Sequence, residues 1–278
     1  MPYTAEVSRV NPSCFLFLID QSGSMSDSFG GGTGKQKADG VADAINRLLQ
    51  NLVIKCAKSE GVRDYYEVGV IGYGVNVGPA FGGGLAGRTL VPISQVASAP
   101  IRVEERTKKV DDGAGGLVDQ KVKFPVWFEP VSSGGTPMCE ALRLAHQVMQ
   151  DWISQHQNSY PSIVINITDG AATDGDPASN AQAIANLSTT DGNILVFNCH
   201  VSAHTASPIS YPDSDAALPD EYARTLFQMS SVLPENLLKA ARSEGLGVGN
   251  QARGFVFNAH LEDLIRFLDI GTRPSNLR

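Results

Sequence analysis

The chain has 278 residues, of which 42% are hydrophobic, and it carries a formal net charge of −7 at pH 7. A chain of this length can bury a full core, as one large α/β domain or as two small ones. The negative charge disfavours nucleic acid and anionic membrane surfaces as partners, because affinity for both depends on clustered Lys and Arg. We therefore expect neither class of partner.

The composition also bears on the compartment. No apolar run approaches the roughly 18 residues that a membrane-spanning helix needs. Residues 1–6 lack the basic segment and apolar run of a secretory signal. The four cysteines contain no Cys-x-x-Cys pair and lie far apart in apolar contexts, which is typical of reduced core thiols: Cys14, Cys56, Cys139 and Cys199. These features predict a cytoplasmic protein.

The first half of the chain begins with alternating strand and helix patterns. Residues 15–19 are wholly apolar and predict a buried strand. A helix is predicted over about 35–58, because its apolar residues recur at three-and-four spacing. Residues 66–73 predict a second strand, and residues 88–93 an edge strand, since an edge tolerates the Pro at position 92.

A β-hairpin is predicted next. Residues 101–110 and 117–128 flank a turn rich in Asp and Gly at 111–116, and apolar residues alternate with charged ones in the second arm. We interpret residues 99–130 as a hairpin inserted into the surrounding domain.

The second half of the chain predicts strands that alternate with helices. Apolar strands of this kind indicate a doubly wound, mainly parallel sheet with helices on both faces, a Rossmann-like α/β fold. We predict one domain over 1–278. The predicted elements are helix 137–156, strand 162–168, helix 177–188, strand 194–199, a helical region at 220–243, strand 254–258 and helix 261–268.

Oxygen-bearing side chains follow two of these strands and precede one helix. Asp20, Ser22 and Ser24 come directly after the first strand, Asp169 ends the strand at 162–168, and Thr136 stands before helix 137–156. In doubly wound sheets, ligands bind beyond the carboxyl ends of the strands. The three segments are therefore expected to meet around one site.

The donor types select the ion. Hydroxyl and carboxylate oxygens without His or Cys suit Mg²⁺, Mn²⁺ or Ca²⁺ rather than zinc or copper, and Mg²⁺ is the ion we expect. Two carboxylates offset the two charges of the ion. Octahedral coordination then leaves a position for an outside oxygen, such as an Asp or Glu carboxylate of a partner protein.

This pattern resembles the von Willebrand factor A domain over nearly the whole chain. In that family, residues at the positions of Asp20, Ser22, Ser24, Thr136 and Asp169 form the metal-ion-dependent adhesion site. The resemblance implies that the hydroxyls coordinate a divalent ion and that the aspartates bind it directly or through water. It also implies an intracellular bacterial protein that works beside an ATPase, a kinase or a phosphatase. The inserted hairpin departs from the minimal family pattern.

Each segment also has a simpler interpretation. Asp and Ser after a strand often form local turns, as could Asp169 with its following Gly, and Thr136 before a Pro could cap a helix. These interpretations do not explain why all three segments occur in this order, which favours the metal site.

Acids near the site are solvated loop residues or part of the outer shell of the metal: Asp27, Asp174 and Asp176. His200 and His204 lack the supporting ligands of a zinc site.

Three functions remain open. The first is a non-catalytic protein-binding module, a scaffold or regulator, that recognises a partner carboxylate through the ion. The second is a Mg²⁺-dependent phosphohydrolase or phosphotransferase in which Asp20 attacks phosphate. For it, Ser22 stands where haloacid-dehalogenase-type phosphatases have a second aspartate, and no general acid can be named. In the third, the ion only holds the loops together.

Overall fold

The computed structural model describes residues 3–29, 34–111, 116–202 and 207–272. Within these ranges the strands are β1 (Ser13–Asp20), β2 (Ala57–Lys58), β3 (Gly61–Val62), β4 (Tyr66–Tyr73), β5 (Val77–Pro79), β6 (Val91–Pro92), β7 (Arg102–Asp111), β8 (Leu117–Val126), β9 (Ile163–Thr168), β10 (Ser188–Thr189), β11 (Gly192–Asn193), β12 (Leu195–Val201), β13 (Ile209–Ser210) and β14 (Phe255–Ala259). The α-helices are α1 (Lys37–Cys56), α2 (Ile93–Ser98), α3 (Met138–Gln155), α4 (Ala178–Ala185), α5 (Glu221–Gln228), α6 (Glu235–Ser243) and α7 (Leu261–Gly271).

A central sheet organises the fold. Its strands run in the order β13-β14-β12-β9-β1-β4-β5, and β6 also pairs with β4. The five strands from β14 to β4 are mutually parallel, whereas β13, β5 and β6 pair antiparallel at the edges. The predicted fold class, a doubly wound and mainly parallel α/β sheet, is confirmed.

Strand β1 explains why the sheet is covered on both faces. Phe15, Phe17 and Ile19 point into one core with residues of α1, α6 and α7. Leu16 and Leu18 point into the other core with residues of α3, α4 and α5. Because neighbouring side chains of a strand point to opposite faces, a strand covered on both faces must be apolar throughout.

Two predicted elements differ from the structure for reasons that involve proline. Residues 88–93 were expected to form one strand, but only Val91–Pro92 pairs, and Ile93 begins α2. Pro92 has no N–H to continue the ladder, and Asp64 Oδ1 accepts a hydrogen bond from Ser94 N at 2.9 Å in the first turn of the helix.

The helical region at 220–243 divides into α5 and α6. Pro234 lies at the start of α6, where its missing N–H costs no helical hydrogen bond.

The predicted hairpin is confirmed as an element. Its strands pair from Arg102 with Val126 to Asp111 with Leu117, in a two-stranded sheet separate from the central one. Most of the predicted turn, residues 112–115, lies outside the described residues. The hairpin contacts α1 where Arg106 Nη1 donates to Asp43 Oδ1 at 2.8 Å and where Gln50 Nε2 donates to Lys123 O at 3.1 Å. That the hairpin is an insertion within a single domain stays a prediction.

Two observations relate to the predicted compartment. None of the helices described here is long and apolar enough to cross a bilayer. All four cysteines are free thiols and all are buried.

Candidate metal centre

The site lies where the direction of chain winding reverses. From β1 the chain passes to β4 on one side, and it later returns to β9 on the other side of β1. Asp20 ends β1, and Asp169 follows β9 directly. Because β1 and β9 are adjacent and parallel, both carboxylates leave the sheet at its carboxyl edge, where ligands bind in folds of this kind.

Asp20 is buried, with 1% of its surface exposed. One carboxylate oxygen accepts from the backbone N–H of Ser22 at 2.8 Å, and the other accepts from Thr168 Oγ1 at 2.7 Å. Burial raises the pKa of Asp20, and the hydrogen bonds from Ser22 and Thr168 act in the opposite direction. Asp20 therefore fixes the first loop and contributes negative charge from beneath it.

Ser22, Ser24 and Asp169 form a compact group of oxygens. The Oγ atoms of Ser22 and Ser24 are 3.1 Å apart, and Ser24 Oγ donates to Asp169 Oδ1 at 2.7 Å. Neighbouring ligands of an octahedral Mg²⁺ lie about 2.9 Å apart, given metal–oxygen distances of about 2.0–2.1 Å. The donor types and the spacing of these oxygens both fit such an ion.

Backbone hydrogen bonds join the loop before α3 to the loop after β1. Ser133 N donates to Gln21 O at 2.6 Å, and Gly23 N donates to Gly134 O at 3.0 Å. Gly134 has φ +90°, and a Cβ there would lie 2.6 Å from Val75 N. Only glycine suits both the backbone conformation and this close approach to the turn after β4.

Thr136 is brought to the same edge, but it is held through its backbone. Its N–H donates to Thr173 Oγ1 at 3.0 Å, and its carbonyl accepts from Thr173 N at 2.9 Å. Within the described residues, no hydrogen bond joins the Thr136 hydroxyl to Ser22, Ser24 or Asp169. The alternative interpretation of Thr136 as a helix cap is wrong, because Pro137 occupies the N-cap of α3 and no side chain caps from that position.

The three nearby acids have separate roles in the structure. Asp174 accepts from Cys139 N at 3.0 Å and from Glu140 N at 2.9 Å, in the first turn of α3. Burial alone would raise the pKa of Asp174, but these hydrogen bonds outweigh it and lower the pKa. Asp176 accepts from Ala178 N at 3.0 Å, at the start of α4. Both acids therefore stabilise helix starts, whereas the exposed Asp27 faces Lys37.

Lys37 is the main site residue that the sequence analysis missed. Its side chain is 6% exposed, and its Nζ lies 2.7 Å from Asp169 Oδ2, whose side chain is fully buried. The same Nζ donates to Ser24 O at 3.3 Å. A Lys in the first turn of a helix is usually solvated, and the sequence carries no signal that this one turns inward. The oxygen group therefore already binds one cation, the ammonium of Lys37.

Within the described part of the chain, His200 has no cluster of zinc-ligating side chains around it. Its ring stacks on Phe257 with centroids 4.5 Å apart, and its Nδ1 accepts from Asn258 N at 3.1 Å. His204 lies outside the described residues. In the parts of the chain that the structure covers, no group of three or more His, Cys, Asp or Glu side chains could hold a metal ion. The candidate centre contains two such carboxylates, and its other donors are hydroxyls.

Comparisons with known proteins add little to this geometry. No family model matches the chain, and no curated protein matches it. The vWF domain of the type V pili tip protein Mfa5 from Porphyromonas gingivalis aligns at 16% identity and TM-score 0.32, over 58% of this chain and 38% of that one. A structure of three N-terminal domains of Mfa5 aligns at 15% identity and TM-score 0.32, over 58% and 20%.

The PilB minor pilin from Streptococcus sanguinis aligns at 10% identity and TM-score 0.48, over 98% of this chain and 62% of that one. In each case this chain spans less than two thirds of the solved structure. The strand order of this chain defines its fold, and the contacts of Ser22, Ser24 and Asp169 define the candidate site.

Proposed function

We propose that the chain is a non-catalytic, metal-dependent protein-binding module. A divalent cation, Mg²⁺ first and Mn²⁺ or Ca²⁺ otherwise, would be held by Ser22, Ser24 and Asp169, with Asp20 and Thr136 beside them. The ion would supply a positive centre with one open coordination position. A carboxylate from an Asp or Glu of a partner protein would occupy that position.

One observation carries this proposal. Three oxygens from two distant segments, those of Ser22, Ser24 and Asp169, lie within 3.1 Å of their neighbours at the carboxyl edge of the sheet. Ser24 is exposed, so the group faces solvent at that point. An exposed cluster of oxygens above buried negative charge suits a hard cation that must also reach a second molecule.

The contacts of Asp20 argue against the hydrolase alternative. A nucleophilic carboxylate needs an oxygen directed at the substrate. Both Asp20 oxygens instead accept hydrogen bonds, from Ser22 N and Thr168 Oγ1, and the residue is 1% exposed. Turnover of a phosphate ester that disappears in Asp20→Asn would nevertheless restore this alternative.

Isothermal titration calorimetry with Mg²⁺ and Mn²⁺ tests the metal site. In Ser24→Ala we expect the affinity to fall at least about tenfold, because a ligand oxygen is lost. Ser26→Ala is the matched control, since Ser26 lies in the same exposed loop and its hydroxyl donates to Gly23 O at 2.8 Å, its one recorded side-chain bond within the described residues. Equal affinities in both variants, or no metal uptake by the unaltered protein, would refute the site.

Capture of a partner from native lysate tests the binding role. We expect capture in Mg²⁺, loss of capture in EDTA and loss in Ser24→Ala, with Ser26→Ala retaining it. The captured protein should lose binding when its contacting Asp or Glu is changed to Asn or Gln. A metal that raises the melting temperature while capture stays unchanged in EDTA would instead indicate a purely structural ion. The expected ATPase, kinase or phosphatase partner and the cytoplasmic location stay predictions.

A further inference from the structure

Lys37 makes an ion pair beneath the candidate metal site. Its Nζ is 2.7 Å from Asp169 Oδ2 and 3.5 Å from Asp27 Oδ2. The other Asp169 oxygen accepts from Ser24 Oγ at 2.7 Å. Both oxygens of the Asp169 carboxylate are thus engaged, one by a cation and one by a candidate metal ligand.

The position of Lys37 is unfavourable unless the charge has a specific partner. Burying an ammonium removes its hydration, and the first turn of a helix favours negative rather than positive charge. Lys37 is the first residue of α1, and its backbone N–H donates to Asp27 O at 2.8 Å. That bond ties the residue to the loop carrying Ser24. In the described structure Lys37 has two ion-pair partners, Asp169 and Asp27. The side chain of Asp169 is fully buried, whereas that of Asp27 is exposed.

We propose that Lys37 is a resident counter-cation of Asp169 that opposes the binding of a divalent ion. This inference rests on the proposed metal site and concerns its regulation. In the metal-free protein, Lys37 neutralises the buried Asp169 and holds the first loop beside it. When a divalent ion binds the oxygen group, the ammonium remains close and repels it. The site is therefore tuned to a weaker affinity than its five oxygen-bearing residues would give alone.

A charge count gives the direction of the effect. Asp20 and Asp169 provide two negative charges, and Lys37 cancels one of them. A divalent ion then leaves these three residues and the ion with one excess positive charge, and Asp27 offsets it only weakly because its side chain is 61% exposed and screened by solvent. Such a group binds metal less tightly, and it favours an anionic group such as a carboxylate as the last ligand.

The test compares Mn²⁺ binding by calorimetry in the unaltered protein and in Lys37→Met. We expect the variant to bind Mn²⁺ at least about tenfold more tightly. At the dielectric of a protein surface, a lysine ammonium and a nearby divalent ion repel each other by more free energy than a tenfold change in affinity represents. Lys37→Arg keeps the charge and should bind like the unaltered protein. Lys35→Met is the matched control, since Lys35 pairs with Asp43 on the exposed side of α1.

Thermal unfolding provides a second readout that does not depend on affinity alone. Lys37→Met should melt at a lower temperature in EDTA, because Asp169 loses its partner. Mn²⁺ should raise its melting temperature by more than it raises that of the unaltered protein. If Lys37→Met fails to fold in EDTA, Lys37→Gln replaces it, since the amide can still donate to Asp169 without a charge.

The outcomes separate this inference from the metal site itself. If no form of the protein takes up Mn²⁺, the metal site is refuted and the inference falls with it. If Mn²⁺ binds equally well to Lys37→Met, Lys37→Arg and the unaltered protein, the metal site stands and the inference about Lys37 is wrong. Tighter binding by Lys35→Met as well would show a general charge effect and would also overturn it.

Discussion

Ser24 contacts the groups that define the candidate site. Its Oγ bonds to Ser22 and Asp169, and its carbonyl accepts from Lys37. One exposed residue therefore connects two strand ends and the first helix. A change at this position should alter metal binding far more than it alters the fold, because no buried apolar surface is lost.

His200 lies behind the same edge of the sheet. It packs against Phe257 and Tyr222, and its Nδ1 accepts a hydrogen bond from Asn258 N at 3.1 Å. Burial lowers its pKa from 6.5 to about 4, and the nearby charge of Asp169 acts in the opposite direction. The neutral ring is thus the form that the folded protein prefers.

This shift predicts acid sensitivity. Because the folded-state pKa is depressed, the contribution of neutral His200 is fully present above pH 6.5 and is lost as the pH falls towards 4. The loss should reach about 3 kcal/mol of unfolding free energy at about 1.4 kcal/mol per pKa unit. Urea unfolding from pH 7 to pH 4 should show this loss in the unaltered protein and a smaller one in His200→Gln. His146→Gln is the control, and an unchanged pH profile in His200→Gln would contradict the prediction.

At the scale of elements, Asn46 joins helix α1 to the base of the hairpin. Its Oδ1 accepts from Trp127 N at 2.8 Å and from Phe128 N at 3.1 Å, and its Nδ2 donates to Phe128 O at 2.8 Å. Asn46 is 2% exposed. A buried amide in a helix thus satisfies backbone groups of a segment that belongs to no strand.

Asn46→Ala should be clearly destabilising. The change leaves three backbone groups without partners, and we expect a loss of at least about 2 kcal/mol in unfolding free energy by urea denaturation. Asn51→Ala, one and a half turns further along α1, should stay within about 0.5 kcal/mol of the unaltered protein. A similar effect of both variants would mean that the hydrogen bonds of Asn46 contribute little.

A second polar connection crosses the sheet under the site. Tyr73 Oη donates to Asn166 Oδ1 at 2.7 Å, Asn166 Nδ2 donates to Asn198 Oδ1 at 3.0 Å, and Asn198 Nδ2 donates to Ser230 Oγ at 3.0 Å. These bonds link β4, β9 and β12 directly below the loops. They fix β9, the strand that precedes Asp169, relative to β4 and β12, which favours a preorganised candidate site.

At the scale of the whole molecule, the central sheet and the hairpin are separate pairing systems. The hairpin strands pair with each other, and the strands from β13 to β5 form the sheet that carries the site. The two meet at α1 through surface contacts and through Asn46. The hairpin therefore lies beside the site-bearing sheet without being part of it.

Removal of the hairpin tests this division. Arg102 pairs with Val126, so residues 103–125 can be replaced by an Asn-Gly turn that closes an antiparallel pair. We expect the shortened chain to retain its circular dichroism spectrum, cooperative unfolding and Mg²⁺ affinity. Loss of partner capture alone would assign the hairpin to the partner interface. Failure to fold would show that the hairpin is integral to the domain.

The sequence determined the sheet and the residues at its edge, because both depend on local pattern. Apolar runs ending in Asp20 and just before Asp169 specify buried parallel strands with acids at their carboxyl ends, and the spacing in α1 specifies its buried face. The sequence also placed Ser22 and Ser24 beside Asp20, since three residues of one loop cannot lie far apart.

Tertiary structure alone decided how the loops meet and which charges they enclose. Lys37 turns inward to Asp169 only because folding brings residues 132 positions apart together. Asp174 and Asp176 stabilise helix starts, and Thr136 is held by its backbone to Thr173, through contacts that no spacing in the chain specifies. Local patterns fix where strands and helices form, whereas the partners of a buried charge depend on the packing of distant segments.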